Sequence, residues 1–229
     1  MKEAVETVAL ETKRHRAREP LTRDRVLDTA MAMADEGGIE AISMRRLAQA
    51  LGVEAMSLYH YAASKDDILA GIADIVVRQI RLPAADGDWK LAIRACAISA
   101  HDVLRAHPWA CNLLMSGDGI LPSRLALIDA ILARLEDAQL PGETLDLAYH
   151  ALDSHILGFT LWEAGYSRGL RNVPVGDLDT LVRSVGLSPY PHLVAHAAWH
   201  LDPSRAGHTP EFEFGLDLIL DGIPAAAPG

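Results

Sequence analysis

The sequence of 229 residues is poor in aromatic residues, in cysteine and in long apolar runs. Half of it is hydrophobic but only 5% is aromatic, so its core must be built from aliphatic side chains. Ala and Leu are strong helix formers, whereas runs of β-branched residues are scarce, and this composition predicts an all-α fold. The two cysteines, Cys96 and Cys111, are too few for a disulfide framework and are expected to be reduced and buried.

Several functional classes are disfavoured by what is missing. No apolar run reaches about 18 residues and no basic start leads into an apolar segment, so we expect a cytoplasmic protein without a membrane span. The sequence holds no Gly-rich phosphate loop, no HExxH and no GxSxG. Asp153, Ser154 and His155 are consecutive, but neighbouring helical residues point in different directions and form no triad. We therefore expect neither enzymatic activity nor a cofactor.

The charge is unevenly distributed along the chain. Residues 1–65 contain 10 Lys and Arg against 10 Asp and Glu, a net charge of 0, whereas residues 66–229 contain 11 against 21, a net charge of −10. Because phosphate repels acidic surfaces, only the N-terminal part suits nucleic acid. Residues 1–20 include the run KRHRAR and are expected to be a flexible basic arm, either simply solvated or adding phosphate or minor-groove contacts.

Residues 43–61 have the spacing of a helix-turn-helix. Apolar and small residues share one face of a first helix, and Gly52 follows where a helix stops and a positive φ is wanted. Leu58 and Tyr61 then give a second helix its inward face. An ordinary helical hairpin would need only the glycine, so six matching positions favour DNA binding. These positions are Leu47, Ala48, Leu51, Gly52, Val53 and Leu58.

The outward residues of the second helix form a short, mixed face without an acidic side chain. Such a face can enter a major groove of about 12 Å without charge repulsion. It consists of Ala55, Met56, Ser57, Tyr59 and His60.

The same residues support a family resemblance. From about residue 22 to residue 72 the chain resembles the N-terminal domain of the bacterial TetR (tetracycline repressor) family, in the runs GIEAISMRRLAQALGV and LYHY and in the SKD that opens the next helix. Residues 212–223, FEFGLDLILDGI, resemble the last helix of the tetracycline-repressor type of C-terminal domain. The resemblance implies phosphate contacts from Ser43, Tyr59, His60 and Lys65. It implies contacts to base edges from Arg45, Ala55, Met56 and Ser57.

The resemblance also implies a three-helix DNA-binding domain followed by a helical domain that binds a ligand and dimerises. We expect the basic arm at 1–20, the DNA-binding domain with its connecting helix at 21–82, and the ligand-binding and dimerisation domain at 83–229. The connecting helix is expected at 65–80, capped by Ser64 and ending before Pro83. Helices of the last domain are expected at 89–106, 109–115, 123–139, 143–164, 178–185, 190–200 and 210–223.

The family's C-terminal domain encloses a small-molecule cavity, and polar residues inside apolar helices are candidates to line it. Each of them is as well explained as a satisfied core group or an exposed residue. Near the position where the tetracycline repressor uses a histidine, this chain has Arg81, so the drug specificity of that repressor is not carried over. The candidates are His101, Asn112, His150, Asp153 and Trp162.

Two helices of the C-terminal domain carry continuous apolar faces that in this family meet their symmetry mates in a four-helix bundle. Gly215 would permit close approach there, although a merely tolerated glycine is the plainer reading. The expected dimer-interface residues are Leu152, Ile156, Phe212, Gly215, Leu216 and Ile219.

Three histidines, His192, His196 and His200, recur every four residues and lie on one stripe of a helix. Zinc would accept two of them together with other ligands. No nearby Cys or carboxylate completes such a site, so a polar or dimer-facing stripe without metal is the preferred interpretation.

These observations favour a ligand-responsive transcriptional repressor. It would bind a palindromic operator in double-stranded DNA as a homodimer and be released by a small molecule of unknown identity. Two alternatives stay open: a helical interaction protein of the same fold that does not bind DNA, and a regulator, including an activator, with no small-molecule effector.

Arg45 is suited to a bidentate contact with guanine O6 and N7, whereas Lys65 is expected to contact phosphate. Arg45→Ala should therefore weaken specific binding by about 1–3 kcal/mol and relax the preference at one base pair. Lys65→Ala should weaken binding to all sequences alike. Affinities for operator and random duplexes measure both effects, and an equal loss on the two for Arg45→Ala would remove Arg45 from base recognition.

Overall fold

The computed structural model describes residues 20–116, 121–170, 177–201 and 211–224, so the predicted basic arm lies outside the described residues except for Pro20. Within these ranges the chain forms eleven α-helices and no β-strand, which confirms the predicted all-α class. None of the described helices is both long and apolar enough to cross a membrane. The chain divides into two compact units, residues 1–68 and 69–229.

The first two helices of the N-terminal unit each begin with a side-chain cap. Thr22 accepts a hydrogen bond from the Arg25 amide (3.2 Å), and Ser43 accepts one from the Arg46 amide (3.2 Å). The helical segments of this unit are α1 (Arg23–Gly37), a 3-10 turn (Ile39–Ala41), α2 (Met44–Leu51), α3 (Ala55–Leu58) and the start of α4 (Lys65–Arg78).

The turn between α2 and α3 has the predicted helix-turn-helix geometry. Gly52 adopts φ 67° and ψ 34°, a left-handed conformation that favours glycine, and its amide bonds back to the Ala48 carbonyl. Leu47 and Leu58 are fully buried, and α2 packs against α3. The second helix is shorter than predicted: α3 is a single turn, and Tyr61 lies beyond its end and is only half-buried.

One arginine determines how the chain leaves α3. Arg23 on α1 donates to the Tyr61 carbonyl oxygen (2.5 Å) and makes two hydrogen bonds to the Asp67 carboxylate (2.8 and 3.3 Å). Asp67 also accepts from the Ala63 amide (3.0 Å), while Ser64 caps α4 by accepting from the Asp67 amide (3.1 Å). This Arg23–Asp67 clamp holds the segment between α3 and α4, in which the Tyr61 and Ala62 amides both bond to the Leu58 carbonyl.

The C-terminal unit contains the rest of α4 and seven further helices. α5 packs against α7, α8 and α11, and α8 packs in turn against α6, α7 and α11. Small residues such as Ala97 and Ala100 line the buried face of α5, so the aliphatic core predicted from composition is confirmed. The helices are α5 (Trp89–Ala106), α6 (Trp109–Ser116), α7 (Pro122–Glu136), α8 (Gly142–Leu170), α9 (Leu178–Val185), α10 (Pro191–His200) and α11 (Glu211–Gly222).

One difference from the predicted elements has a simple physical cause. α8 continues to Leu170 instead of ending before Gly165, because one interior glycine costs only about 1 kcal/mol. Cys96 and Cys111 are buried free thiols as expected, and burial raises the pKa of each to about 11.

The division between the two units falls inside α4, earlier in the chain than the boundary predicted at 82/83. The turn-rich stretch at residues 83–88, between α4 and α5, is bound to the C-terminal unit. Arg134 on α7 donates to the carbonyl oxygens of Ala85 (2.8 Å) and Gly87 (2.7 Å). A turn-rich sequence therefore marks the end of a helix here without marking the edge of a compact unit.

The Arg23–Asp67 clamp should make the N-terminal unit sensitive to acid. The hydrogen bond from Arg23 lowers the pKa of Asp67, although burial acts in the opposite direction. A carboxylate with a lowered pKa stabilises the fold above its unfolded pKa of about 4, and this contribution is lost as the pH falls through the folded value. Because both side chains are partly exposed, Asp67→Asn should cost about 1 kcal/mol or less at pH 7.

Hydrogen exchange of α1 and α4 amides in the full chain, compared at pH 7 and at about pH 3, would measure this contribution. Exchange in Asp67→Asn should be faster than in the unmodified chain at pH 7, and the difference should shrink in acid. Asp66→Asn changes an exposed neighbouring carboxylate outside the clamp and serves as the control. A difference of the same size at both pH values would show that the charge of Asp67 is unimportant.

Candidate DNA-binding face and effector-binding region

The eight predicted DNA-contacting residues all belong to the N-terminal unit, on or beside α2, α3 and the start of α4. Met56 is 72% exposed and Tyr59 is 49% exposed, so neither side chain is buried in the core of the unit. Arg45 and His60 are also exposed, whereas Ser43, Ala55, Ser57 and Lys65 are half-buried. A large apolar and an aromatic side chain left exposed on one short helix are available for contact with another molecule.

The packing of α2 and α3 determines which of these residues face outward. Leu47 and Leu51 of α2 and Leu58 of α3 turn inward, which leaves Arg45, Met56 and Tyr59 on the outer surface. None of the eight residues has an acidic side chain. The surface offers a guanidinium, an ammonium, an imidazole and hydroxyl groups, all of which suit phosphate or base edges.

His101 is the one ligand candidate that lies in the core of the C-terminal unit. It is 8% exposed, and its ring stacks on Phe212 with the ring centres 4.0 Å apart. Nδ1 of His101 lies 2.9 Å from the Thr160 hydroxyl oxygen, which also lies 2.6 Å from the Ile156 carbonyl oxygen, so the hydroxyl has a hydrogen-bond partner on either side.

The other ring nitrogen of His101 faces a carboxylate that the sequence did not suggest. Nε2 lies 3.4 Å from Oε2 of Glu163, and this oxygen is buried without a hydrogen-bond partner among the described residues. Burial lowers the pKa of His101, while the charge of Glu163 acts in the opposite direction. A proton on Nε2 of His101 or a donor from a bound molecule would satisfy the Glu163 oxygen.

The remaining ligand candidates are scattered over the C-terminal unit. Asp153 is half-buried and forms an ion pair with Arg124 of α7, and Trp162 is 53% exposed with its ring 5.4 Å from that of Phe159. Asn112 and His150 are exposed.

The prediction that Asn112 and His150 line an internal cavity is corrected by the structure. Asn112 is one residue past the buried Cys111, and His150 lies between the buried Ala148 and Leu152, which turn to the opposite side of α8. His150 is 3.5 Å from Asp146 one helical turn away. A polar residue in an otherwise apolar helix thus often lies on the solvent-exposed face of that helix.

An open groove of about 400 Å³ lies beside the start of α5. None of the five ligand candidates lines it. Its lining residues are Arg81, Leu82, Ala84, Asp86, Asp88, Leu91, Ala92 and Ala95.

Most of the predicted dimer-interface residues belong to the core of their own chain, which corrects the prediction. Leu152 and Leu216 are 1% and 0% exposed, and Ile156 and Phe212 are also buried; only Ile219 and Gly215 are half-buried. A Cβ at Gly215 would lie 2.5 Å from Cε1 of His155 on α8, so the close approach that this glycine permits is between two helices of one chain.

The same two helices expose a different set of apolar residues. Leu147 and Trp162 of α8 are 61% and 53% exposed, and Phe214 and Leu218 of α11 are 59% and 61% exposed. This surface cannot be singled out from the sequence, because both faces of α8 and α11 are apolar. The hairpin of α9 and α10 also shows exposed large residues, namely Val185, Tyr190, Leu193 and Trp199.

His192 and His196 are exposed on α10, and the side chain of His200 lies outside the described residues. No group of three or more His, Cys, Asp or Glu side chains that could hold a metal ion occurs in the described part of the chain. The two histidines of this stripe whose side chains are described therefore lie at the surface.

Comparison with known proteins agrees with this geometry. Residues 26–72 match the tetR family of bacterial regulatory proteins, and residues 82–227 match the tetracyclin repressor-like C-terminal domain. The chain is 30% identical over 210 residues to the HTH-type transcriptional repressor DrrR1 of Streptomyces coeruleorubidus, a match that covers 89% of the chain and 77% of that repressor.

Two further relatives match over most of their length. One is an HTH-type transcriptional regulator of Saccharopolyspora erythraea, 32% identical over 224 residues, which are 94% of the chain and 89% of the regulator. The other is the crystal structure of the Streptomyces coelicolor TetR family protein ActR in complex with actinorhodin, with a TM-score of 0.69 and 26% identity over 90% of the chain and 97% of ActR. The chain therefore belongs to the TetR family of transcriptional regulators, which are DNA-binding proteins and not enzymes.

Proposed function

We propose that the chain is a cytoplasmic, ligand-responsive repressor that binds a palindromic operator as a homodimer and is released by a small molecule. The observation that best supports operator binding is the turn at Gly52, which leaves Arg45, Met56 and Tyr59 exposed on a face without acidic side chains. Binding to DNA selected from a random duplex pool, with an affinity that falls steeply with salt, tests this proposal. A helical interaction protein of the same fold would select no sequence.

The dimer surface that we propose is the exposed apolar face of α8 and α11. On α8 the outward residues recur at helical spacing, and several are small enough for close helix approach. Phe214 and Leu218 extend this face on α11, which packs against α8 in the same unit. The outward residues of α8 are Leu147, Ala151, Ser154, Gly158 and Leu161.

An apolar face of this kind is rarely left in water, and a second copy of the chain is the natural partner. Twofold symmetry would also present two recognition units to DNA, which need a separation of about 34–36 Å to reach successive major grooves. A palindromic operator follows from the same symmetry.

Two glycines on the interacting helices separate dimer formation from folding. A Cβ at Gly158 would meet nothing within 4 Å among the described residues of its own chain. One at Gly215 would meet His155, which is held by a hydrogen bond from Nε2 to the Phe212 carbonyl (2.9 Å). Gly158→Leu should therefore leave a folded monomer, and the better helix propensity of Leu should offset any local cost. Gly215→Leu should instead destabilise the chain itself, by about 1–3 kcal/mol or more.

Sedimentation at micromolar concentration and circular dichroism would measure the two effects, with Asp129→Leu at an exposed site on α7 as the control for an added apolar side chain. If Gly158→Leu dimerises with the same affinity as the unmodified chain, this surface is not the dimer interface. A monomeric unmodified chain would exclude the homodimer.

For the effector, the similarity to ActR with actinorhodin supports a small-molecule site within the C-terminal unit. We propose that it includes His101 and Glu163, because the buried Glu163 oxygen lacks a hydrogen-bond partner among the described residues. Asp153 and Trp162 are further candidates because both are partly accessible on α8. A donor from an effector is one way to satisfy this oxygen, and a proton on Nε2 of His101 is the other.

An effector that releases the operator must bind the free dimer more tightly than the DNA-bound dimer, by the same factor by which it weakens DNA binding. A coupling of about 1–3 kcal/mol is expected. Screening a compound library for release of a fluorescent operator, followed by calorimetry of the active compound with and without DNA, would measure both factors.

His101→Phe keeps the ring against Phe212 but removes the imidazole nitrogens that face Thr160 and Glu163, and should abolish release while operator binding persists. Exposed His150 provides the matched control, since His150→Phe should release normally. Independent binding of compound and operator would contradict the ligand-responsive mechanism. If the compound still releases His101→Phe from the operator, the effector binds elsewhere.

A further inference from the structure

The amino end of α7 is capped by a residue from another helix. Leu121 stands at the N-cap and makes no side-chain hydrogen bond, while Pro122 has no amide hydrogen to donate. Asp74 on α4 supplies the missing acceptor: its Oδ1 accepts from the Ser123 amide (3.1 Å) and from the Ser123 hydroxyl (2.6 Å). These contacts lie within the C-terminal unit and join α4 to α7.

Asp74 is held in this position as a buried carboxylate. It is 8% exposed, and its Oδ2 pairs with Arg78 one turn later on α4. Burial raises the pKa of Asp74, but the hydrogen bonds from Ser123 and the charge of Arg78 together lower it below its usual value. The positive end of the α7 dipole favours the same charged form.

The Asp74–Ser123 contact constrains α4 in a way that its apolar packing does not. Ile72 and Val76 on either side of Asp74 are fully buried. Apolar burial is non-directional, so such side chains tolerate small rotations or shifts of a helix. Two hydrogen bonds to one carboxylate hold both the rotation and the axial position of α4, since each weakens steeply when its geometry changes.

We propose that Asp74 is the positioning residue that fixes α4 against the start of α7 and so couples the C-terminal unit to DNA affinity. The inference rests on the proposed function and names the contact that joins α4 to α7. α4 is one helix whose first turn belongs to the N-terminal unit and whose remainder belongs to the C-terminal unit. An α4 released from Ser123 samples more arrangements, and operator affinity falls with the fraction that suits DNA.

The test compares operator affinity in full-length variants, using the duplex that the unmodified chain selects from a random pool. Asp74→Ala should weaken binding by about 5- to 150-fold, the usual range of coupling between sites. Ser123→Ala removes only the hydroxyl donor and keeps the backbone amide, so its loss should be smaller. The double variant should lose less affinity than the sum of the two single losses, because the two residues share one set of hydrogen bonds.

Asp217→Asn is the matched control. Its carboxylate accepts from Arg94 (2.7 Å) and joins α5 to α11 without involving α4. Its affinity should stay within about twofold of the unmodified chain. All affinities are corrected for the folded fraction measured by circular dichroism, so that general loss of stability is not mistaken for lost positioning.

Hydrogen exchange at residues 121–127 provides a readout that a purely structural cap would not change. Operator DNA should slow this exchange in the unmodified chain, and the effect should vanish in Asp74→Ala. The proposal is overturned if folded Asp74→Ala binds the operator as tightly as the unmodified chain. It is also overturned if operator DNA does not change the exchange rate of α7 in the unmodified chain. Neither result would contradict the proposal that the chain binds DNA. If the unmodified chain selects no DNA sequence, the proposed function itself fails.

Discussion

Two aspartates on α4 provide the polar contacts that hold this helix, one within each compact unit. Asp67 is bound by Arg23 in the N-terminal unit, and Asp74 is bound by Ser123 in the C-terminal unit. They are seven residues apart, close to two helical turns, so both project from about the same side of α4. Each also accepts a backbone amide at the edge of a helix, which ties the start of α4 and the start of α7 to defined positions.

The electrostatics of the two aspartates explain how an acidic chain uses part of its negative charge. The pKa values of both Asp67 and Asp74 are lowered by their partners, so both are charged at neutral pH. The same pattern recurs where Arg94 bridges Glu213 and Asp217, and it keeps the pKa of Asp217 low. The surplus of acid after residue 65 therefore serves partly to join helices, while the predicted DNA-contacting residues stay free of acidic side chains.

The sequence predicted local features well because they depend on residues close together in the chain. The cap at Ser64 and the left-handed Gly52 follow from one residue type and its immediate neighbours, and the structure confirms them. The length of α3 was not predictable in this way. The segment that follows α3 is held by Arg23, which lies 38 residues before Tyr61, and helical periodicity within the segment gives no sign of that contact.

The C-terminal unit shows why faces are harder to assign than helices. On α8 and α11 apolar residues cover most of the circumference, so periodicity alone does not tell the face that meets the core from the face that meets water. Leu216 and Leu218 are both apolar and two positions apart, yet one is 0% and the other 61% exposed. The pairing of His101 with Thr160 and Glu163 has the same origin. It joins side chains some sixty residues apart, and only the packing of α5 against α8 brings them together.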